Sequence, residues 1–242
     1  MTPSPARYPE RVSERVGETG FAGFGDHALD FYLGIEADNS KAYWSAHRHV
    51  YDRDVREPME ALLAELTAEF GDFGAPKVFR PYRDVRFARD KTPYKTHCGA
   101  VFERGRGGGA FYVAVSADGL RVGGGSFHLA PDQLRRYRVA VADERRGTDL
   151  ERLLADLTRC DWDIHGELLK TAPRGFGADH PRLALLRRRA LYVSRADPPD
   201  DLVFQPGAVE WVRSAWRRIR ALNEWMADHV GVPAESQPSG RY

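Results

Sequence analysis

From Leu29 to Leu66 the apolar residues recur every three or four positions, and after Gly71 the period drops to two. The first regime predicts helices and the second strands, because side chains repeat every 3.6 residues on a helix and every two on a strand. Asp26 is placed to cap a first helix carrying Leu29, Tyr32, Leu33 and Glu36, and Asn39-Ser40 ends it and caps a second. Tyr43, Trp44, His47, Val50, Tyr51 and Val55 give that second helix an aromatic stripe. His47 lies on the stripe and is expected to be a structural histidine. Pro58 is expected to reset the direction before a third helix with Met59, Leu62, Leu63 and Leu66, closed by Gly71.

From Val78 to Phe87 one face reads Phe79, Pro81, Arg83, Val85, Phe87 and the other Val78, Arg80, Tyr82, Asp84, Arg86, which predicts a strand with its charges on one side. Pro81 has no amide donor, so this strand belongs at an edge or carries a bulge. Ala88 to Thr96 is loop-like. Three further strands follow, His97 to Arg104, Ala110 to Ser116 and Leu120 to Gly125, joined by a glycine run and by Ala117-Asp118-Gly119, a hairpin signal. Gly99, Ala100, Ala110, Ala114, Ser116 and Gly123 to Gly125 concentrate small residues there, which leaves space over the sheet or lets a helix or ligand approach the backbone. Pro131 starts a helix with Leu134, Tyr137 and Val141, and Leu150, Leu153, Leu154 and Leu157 mark another. Trp162 and Ile164 are extended, Asp179 is placed to cap a short helix with Leu183 and Leu186, Leu191 to Val193 is extended, and Val209 to Met226 forms a long closing helix. The pattern predicts an α+β fold: an antiparallel meander of four to six strands with helices before and after it. Residues 21–231 are expected to form one domain, between a polar arm over residues 1–20 and a tail over 232–242.

Composition narrows the function. A net charge of +1 and a pI near 7.8 argue against broad coating of nucleic acid, which requires many phosphates to be neutralised at once. No apolar run approaches the roughly 20 residues of a membrane span, and the first 20 residues lack the apolar core of a signal peptide, so no membrane partner and a cytoplasmic location are expected. Two cysteines, Cys98 and Cys160, give no disulfide framework.

Against that neutral background, Lys77 to His97 carries seven Lys or Arg and two acids, interleaved with aromatics. Guanidinium forks and ammonium groups suit a carboxylate or phosphate, so Arg80, Arg83, Arg86, Lys91 and Lys95, with Tyr82, are candidate ligands for a small anion. His128, after the glycine run, and Arg174, in a glycine-flanked turn, join them, and the site is expected where Arg80, Arg86, Lys95 and His128 converge. His97, Tyr94 and Asp84 are the candidates for proton transfer. The same stretch also suits a structural or protein-interaction module whose ion-pair network holds a loop, or an open nucleic-acid module with Tyr82 or Phe127 for stacking, though the neutral total favours a small anionic ligand. The histidines are dispersed and lack metal-site spacing, so neither metal nor cofactor is expected.

Asn39-x-Lys41-x-x-Trp44-x-x-His47-Arg48, the run Lys77 to Lys95, Val122-Gly123-Gly124-Gly125 and Pro173-Arg174-Gly175-Phe176-x-x-Asp179-His180-Pro181 occur together and in this order. In this the chain resembles domain of unknown function 2461, a bacterial and fungal family. The resemblance implies a domain over about residues 20 to 230 and brings no activity, cofactor or catalytic residue with it.

Overall fold

The computed structural model describes residues 20–86, 88–105, 108–196 and 201–234, so all but the last residue of the expected arm, most of the expected tail and Phe87 lie outside the described residues. Helix α1 (Ala28–Ala37) is followed by α2 (Lys41–Val50), which starts where Ser40 Oγ accepts from the Tyr43 N–H at 3.1 Å. Asp26 does not cap α1, because the cap position is His27, without a side-chain bond. Nor does Pro58 turn the chain. A π-helical turn, Tyr51–Arg56, carries α2 directly into α3 (Glu57–Phe70). Proline offers no N–H to the preceding turn, and the carbonyl of Asp54 accepts instead from the Gly25 N–H at 2.9 Å.

Six antiparallel strands form one sheet in the order β1-β2-β3-β4-β6-β5. They are β1 (Lys77–Val78), β2 (His97–Glu103), β3 (Ala110–Ser116), β4 (Gly119–Ser126), β5 (Asp163–His165) and β6 (Leu191–Ala196). Between them lie α4 (Pro131–Ala142), α5 (Glu144–Thr158) and α6 (Leu183–Leu186), and α7 (Ala208–His229) closes the domain. Asp179 does not cap α6 either: the cap position is Arg182, without a side-chain cap bond, and its own N–H donates to His180 Nδ1 at 3.0 Å. No helix among the described residues is long and apolar enough to cross a membrane.

The strand expected from Val78 to Phe87 is the main departure. Only Lys77 and Val78 pair with β2, and the chain then folds back on itself. Lys95 N–H donates to the Pro81 carbonyl and Arg83 N–H to that of Pro93, both at 2.8 Å, around a bridge between Tyr82 and Tyr94. Residues 79–86 and 88–96 therefore make the two limbs of a narrow arch rather than a longer edge strand, so Arg80, Tyr82, Asp84 and Arg86 do not share a strand face.

Register divides the sheet into two unlike faces. Cys98, Ala100 and Phe102 of β2 pair with Val115, Val113 and Phe111 of β3, all almost fully buried under the helices. The opposite face carries His97, Gly99 and Val101, then Tyr112 and Ala114, then Arg121, Gly123 and Gly125, then Tyr192 and Ser194, and His165 at the far edge. On the helical side, a side-chain methyl at Gly124 would lie 2.5 Å from both the Ala110 carbonyl oxygen and Ile219 Cδ1, so only a glycine lets α7 settle onto the backbone. Asn223 completes that contact. Its Nδ2 donates to Ala110 O and its Oδ1 accepts from Gly125 N–H, both at 2.8 Å, where the pairing of β3 with β4 ends at Phe111 and Gly124.

Asn223 is fully buried, so truncation strands two backbone groups, each costing about 1–3 kcal/mol. Urea unfolding of Asn223→Ala is expected to show a loss of about 2–4 kcal/mol with an unchanged slope. A loss under about 1 kcal/mol would mean that the sheet does not depend on this amide.

Candidate functional site

The arch over residues 79–96 is held by one side-chain amide. Asn39 Oδ1 accepts from Tyr94 N–H at 2.9 Å and Asn39 Nδ2 donates to Tyr94 O at 3.1 Å, so the side chain acts as a strand partner one residue long. Trp44 stacks on the Tyr94 ring at 4.6 Å and 9°, and Tyr82, 47% exposed, leans on both. The aromatic stripe of α2 thus anchors the basic stretch.

Within the arch, three cations face partners of their own. Arg86 forks onto Asp84 at 2.8 and 3.0 Å, Arg83 donates to Asp90 and Thr92, and Lys91 Nζ donates to the Val85 carbonyl at 2.9 Å. The Thr92 N–H, then Arg83, hold the Asp90 carboxyl down at about 2, and Arg86 lowers that of Asp84. All of these groups lie near water, where such pairs contribute only up to about 1 kcal/mol each.

A cleft of about 620 Å³ opens beside the arch, lined by Arg83, Asp84, Asp90, Tyr94, Lys95 and His97, with Glu36 and Asn39 on its helical side. It differs from the expected cationic recess. Of Arg80, Arg86, Lys95 and His128, only Lys95 lines it, and Glu36, Asp84 and Asp90 make its charge mixed. His128 is exposed beyond β4, and Arg174 is exposed in the turn before Gly175, in a segment tied by Leu168 and Leu169 to Arg188 and Arg187. Among the described residues no cluster of three His, Cys, Asp or Glu is placed to hold a metal ion.

Positive charge collects at one rim of the cleft, on the sheet face away from the helices. Lys95 and His97 are half-buried there, with Arg80 and Arg121 exposed beside them. None of the four makes an ion pair among the described residues. Burial, and then Arg80, lower the Lys95 ammonium, whose Nζ sits 5.2 Å above the Phe79 ring. Burial, then Lys95 and Arg121, lower the His97 imidazole, so it is neutral near pH 7. Tyr112 lies flat across Gly99, and burial pushes its hydroxyl up to about 12. Arg121 was missed by the sequence reading, although the alternation of Leu120, Val122 and Gly124 against Arg121, Gly123 and Gly125 places it as a lone cation on the outward face.

Of the three proton-transfer candidates, His97 alone reaches this face as an unpaired group. The Tyr94 ring is buried against Trp44, its hydroxyl raised first by burial, and Asp84 is held by Arg86. Cys98, on the helical side, is pushed up to about 11 by burial and stays a thiol.

Fold and site together define an α+β protein with one helix-backed antiparallel sheet and a cationic patch on its other face. The chain belongs to the conserved hypothetical protein family DUF2461, whose model matches residues 27–225. A search of curated proteins finds no match.

Removing the amide should free the arch without unfolding the domain. In Asn39→Ala, hydrogen exchange across residues 81–95 is expected to rise about tenfold or more while the strands keep their protection. Unchanged exchange would show that the Trp44 stack alone holds the arch.

Proposed function

We propose that the protein binds an anionic group, a phosphate or carboxylate, at the cationic end of the open sheet face, with Lys95, His97 and Arg121 as direct ligands and Arg80 adding charge. One observation carries this reading: burial, and then neighbouring cations, lower both half-buried Lys95 and His97, and among the described residues no carboxylate is paired to either. Like charges brought together in partial burial raise the free energy of the empty site, and an anion relieves this directly. The Tyr112 hydroxyl, held protonated across Gly99, adds a donor. Arg83, Arg86 and Lys91, by contrast, shape the arch that carries Lys95.

His97 is the one acid–base group suited to proton transfer at such a site, since its lowered value makes it a neutral base at pH 7. A purely structural use of the basic stretch accounts for Arg83, Arg86 and Lys91 but leaves Lys95, over the Phe79 ring, without an ion pair among the described residues.

Sulfate, which does not titrate near neutrality, is the probe. Calorimetry is expected to show saturable binding at millimolar sulfate, weakened about tenfold in Lys95→Ala and in Arg121→Ala, since a hydrogen bond to a charged group contributes about 1.5–3 kcal/mol. The sign of the pH dependence follows from His97. In the free protein its value lies below the ordinary 6.5, so stability is full above that value and falls as the pH drops toward the folded one. Sulfate raises it, so binding takes up a proton and tightens below about pH 6.5. His97→Gln should abolish that dependence; no binding, or binding indifferent to all three substitutions, removes the proposal.

A further inference from the structure

The face that carries the cations also carries a row of rings. Phe79, Tyr112, Phe127, Tyr192 and His165 follow one another with centroids 6.5, 5.7, 4.6 and 5.0 Å apart, from the β1 edge to the β5 edge. Glycines make the row continuous. Gly99 on β2 lies beneath Tyr112, and Gly123 and Gly125 leave β4 bare on this face, so Phe127 touches Tyr112 of β3 on one side and Tyr192 of β6 on the other. Rings laid over cross-strand glycines shield backbone from water, and that alone would account for Tyr112. It does not account for Phe127, which is 46% exposed at the centre of the row and follows the last residue of β4.

We infer that this face binds a short segment of single-stranded nucleic acid, its bases stacking on the ring row around Phe127 and its phosphates lying toward Lys95, Arg121 and Arg80. The inference rests on the anion site proposed above and names what carries the anion. Sheets that present rings on an uncovered face stack about two or three unpaired bases, and cations beside the rings take the backbone. Charge complementarity selects the occupant: Lys95 Nζ already lies over the first ring, so planar group and phosphate are recognised side by side. The row crosses the sheet from edge to edge, which is longer than one nucleotide requires. A duplex hides the base faces that the rings need. A total charge of only +1 confines the contact to a few phosphates.

The test is fluorescence anisotropy with labelled eight-nucleotide pyrimidine strands of RNA and DNA, the corresponding duplexes, and free nucleoside monophosphates as competitors. Both or either single strand should bind and the duplexes should bind at least tenfold more weakly. The logarithm of the affinity should fall with the logarithm of salt at a slope of about −2, for roughly three phosphates neutralised. Phe127→Ala, at an exposed position, should cost about tenfold or more in strand affinity while leaving sulfate affinity intact, and Val139→Ala, an exposed apolar position outside the row, should change neither. Sulfate binding without strand binding overturns this inference and leaves the anion site standing, while loss of both overturns both. Equal affinity for duplex and single strand, or indifference to Phe127→Ala, overturns stacking. A monophosphate that competes as well as the strand would make a free nucleotide the ligand and overturn the strand.

Discussion

A single buried amide joins the closing helix to the centre of the sheet. Asn223 enters where β3 and β4 part and supplies to Ala110 and Gly125 the partners that the strands no longer give each other. It reaches them because Gly124 keeps α7 close, and Trp216 on the same helix donates from Nε1 to the Tyr112 carbonyl at 3.0 Å. The helix therefore reads the sheet by polar contacts as well as by burial, which fixes one register of the two layers. Most of the large apolar side chains of the strands then lie on one side.

The other side follows from that commitment. Once Cys98, Ala100, Phe102 and their β3 partners face the helices, the alternate positions are left to small residues, rings and the outward cations. The arch over residues 79–96 adds Lys95 and Phe79 to this face from the edge, because Asn39 and Trp44 hold its returning limb. Anchor and site thus come from different parts of the chain: α2 sets where the arch lies, and the glycine-bearing strands set what it lies beside.

Much of this was legible in advance. The meander, the helix positions and the aromatic stripe of α2 follow from period alone, since each buries one face. The strand from Val78 to Phe87 was not, although its alternation is as regular as that of β3. Alternation reports which side chains share an environment, whereas pairing depends on where amides find carbonyls, and Pro81 and Pro93 both accept from within the arch. The small residues at Gly99 and Gly123 to Gly125 pointed to close approach by a helix or by a ligand. Helix approach is realised at Gly124, while on the opposite face Gly99 lies under the Tyr112 ring and Gly123 and Gly125 are the strand partners of Tyr112 and Tyr192. Arg86, Lys91 and Arg83 drew attention by density of charge, yet density does not say which cations have partners two to nine residues away. Arg121, isolated in an apolar strand, carried no such signal.

The glycines of the open face also set its relief. A side-chain methyl built at Gly99 would lie 2.7 Å from the Tyr112 hydroxyl, so the ring rests on the peptide plane rather than on a neighbouring side chain. The elevation of the aromatic row above the strands is therefore determined by atoms that are missing. An alanine there would change no charge and no hydrogen-bonding group, yet it would lift or tilt the Tyr112 ring and so change the relief of the whole face.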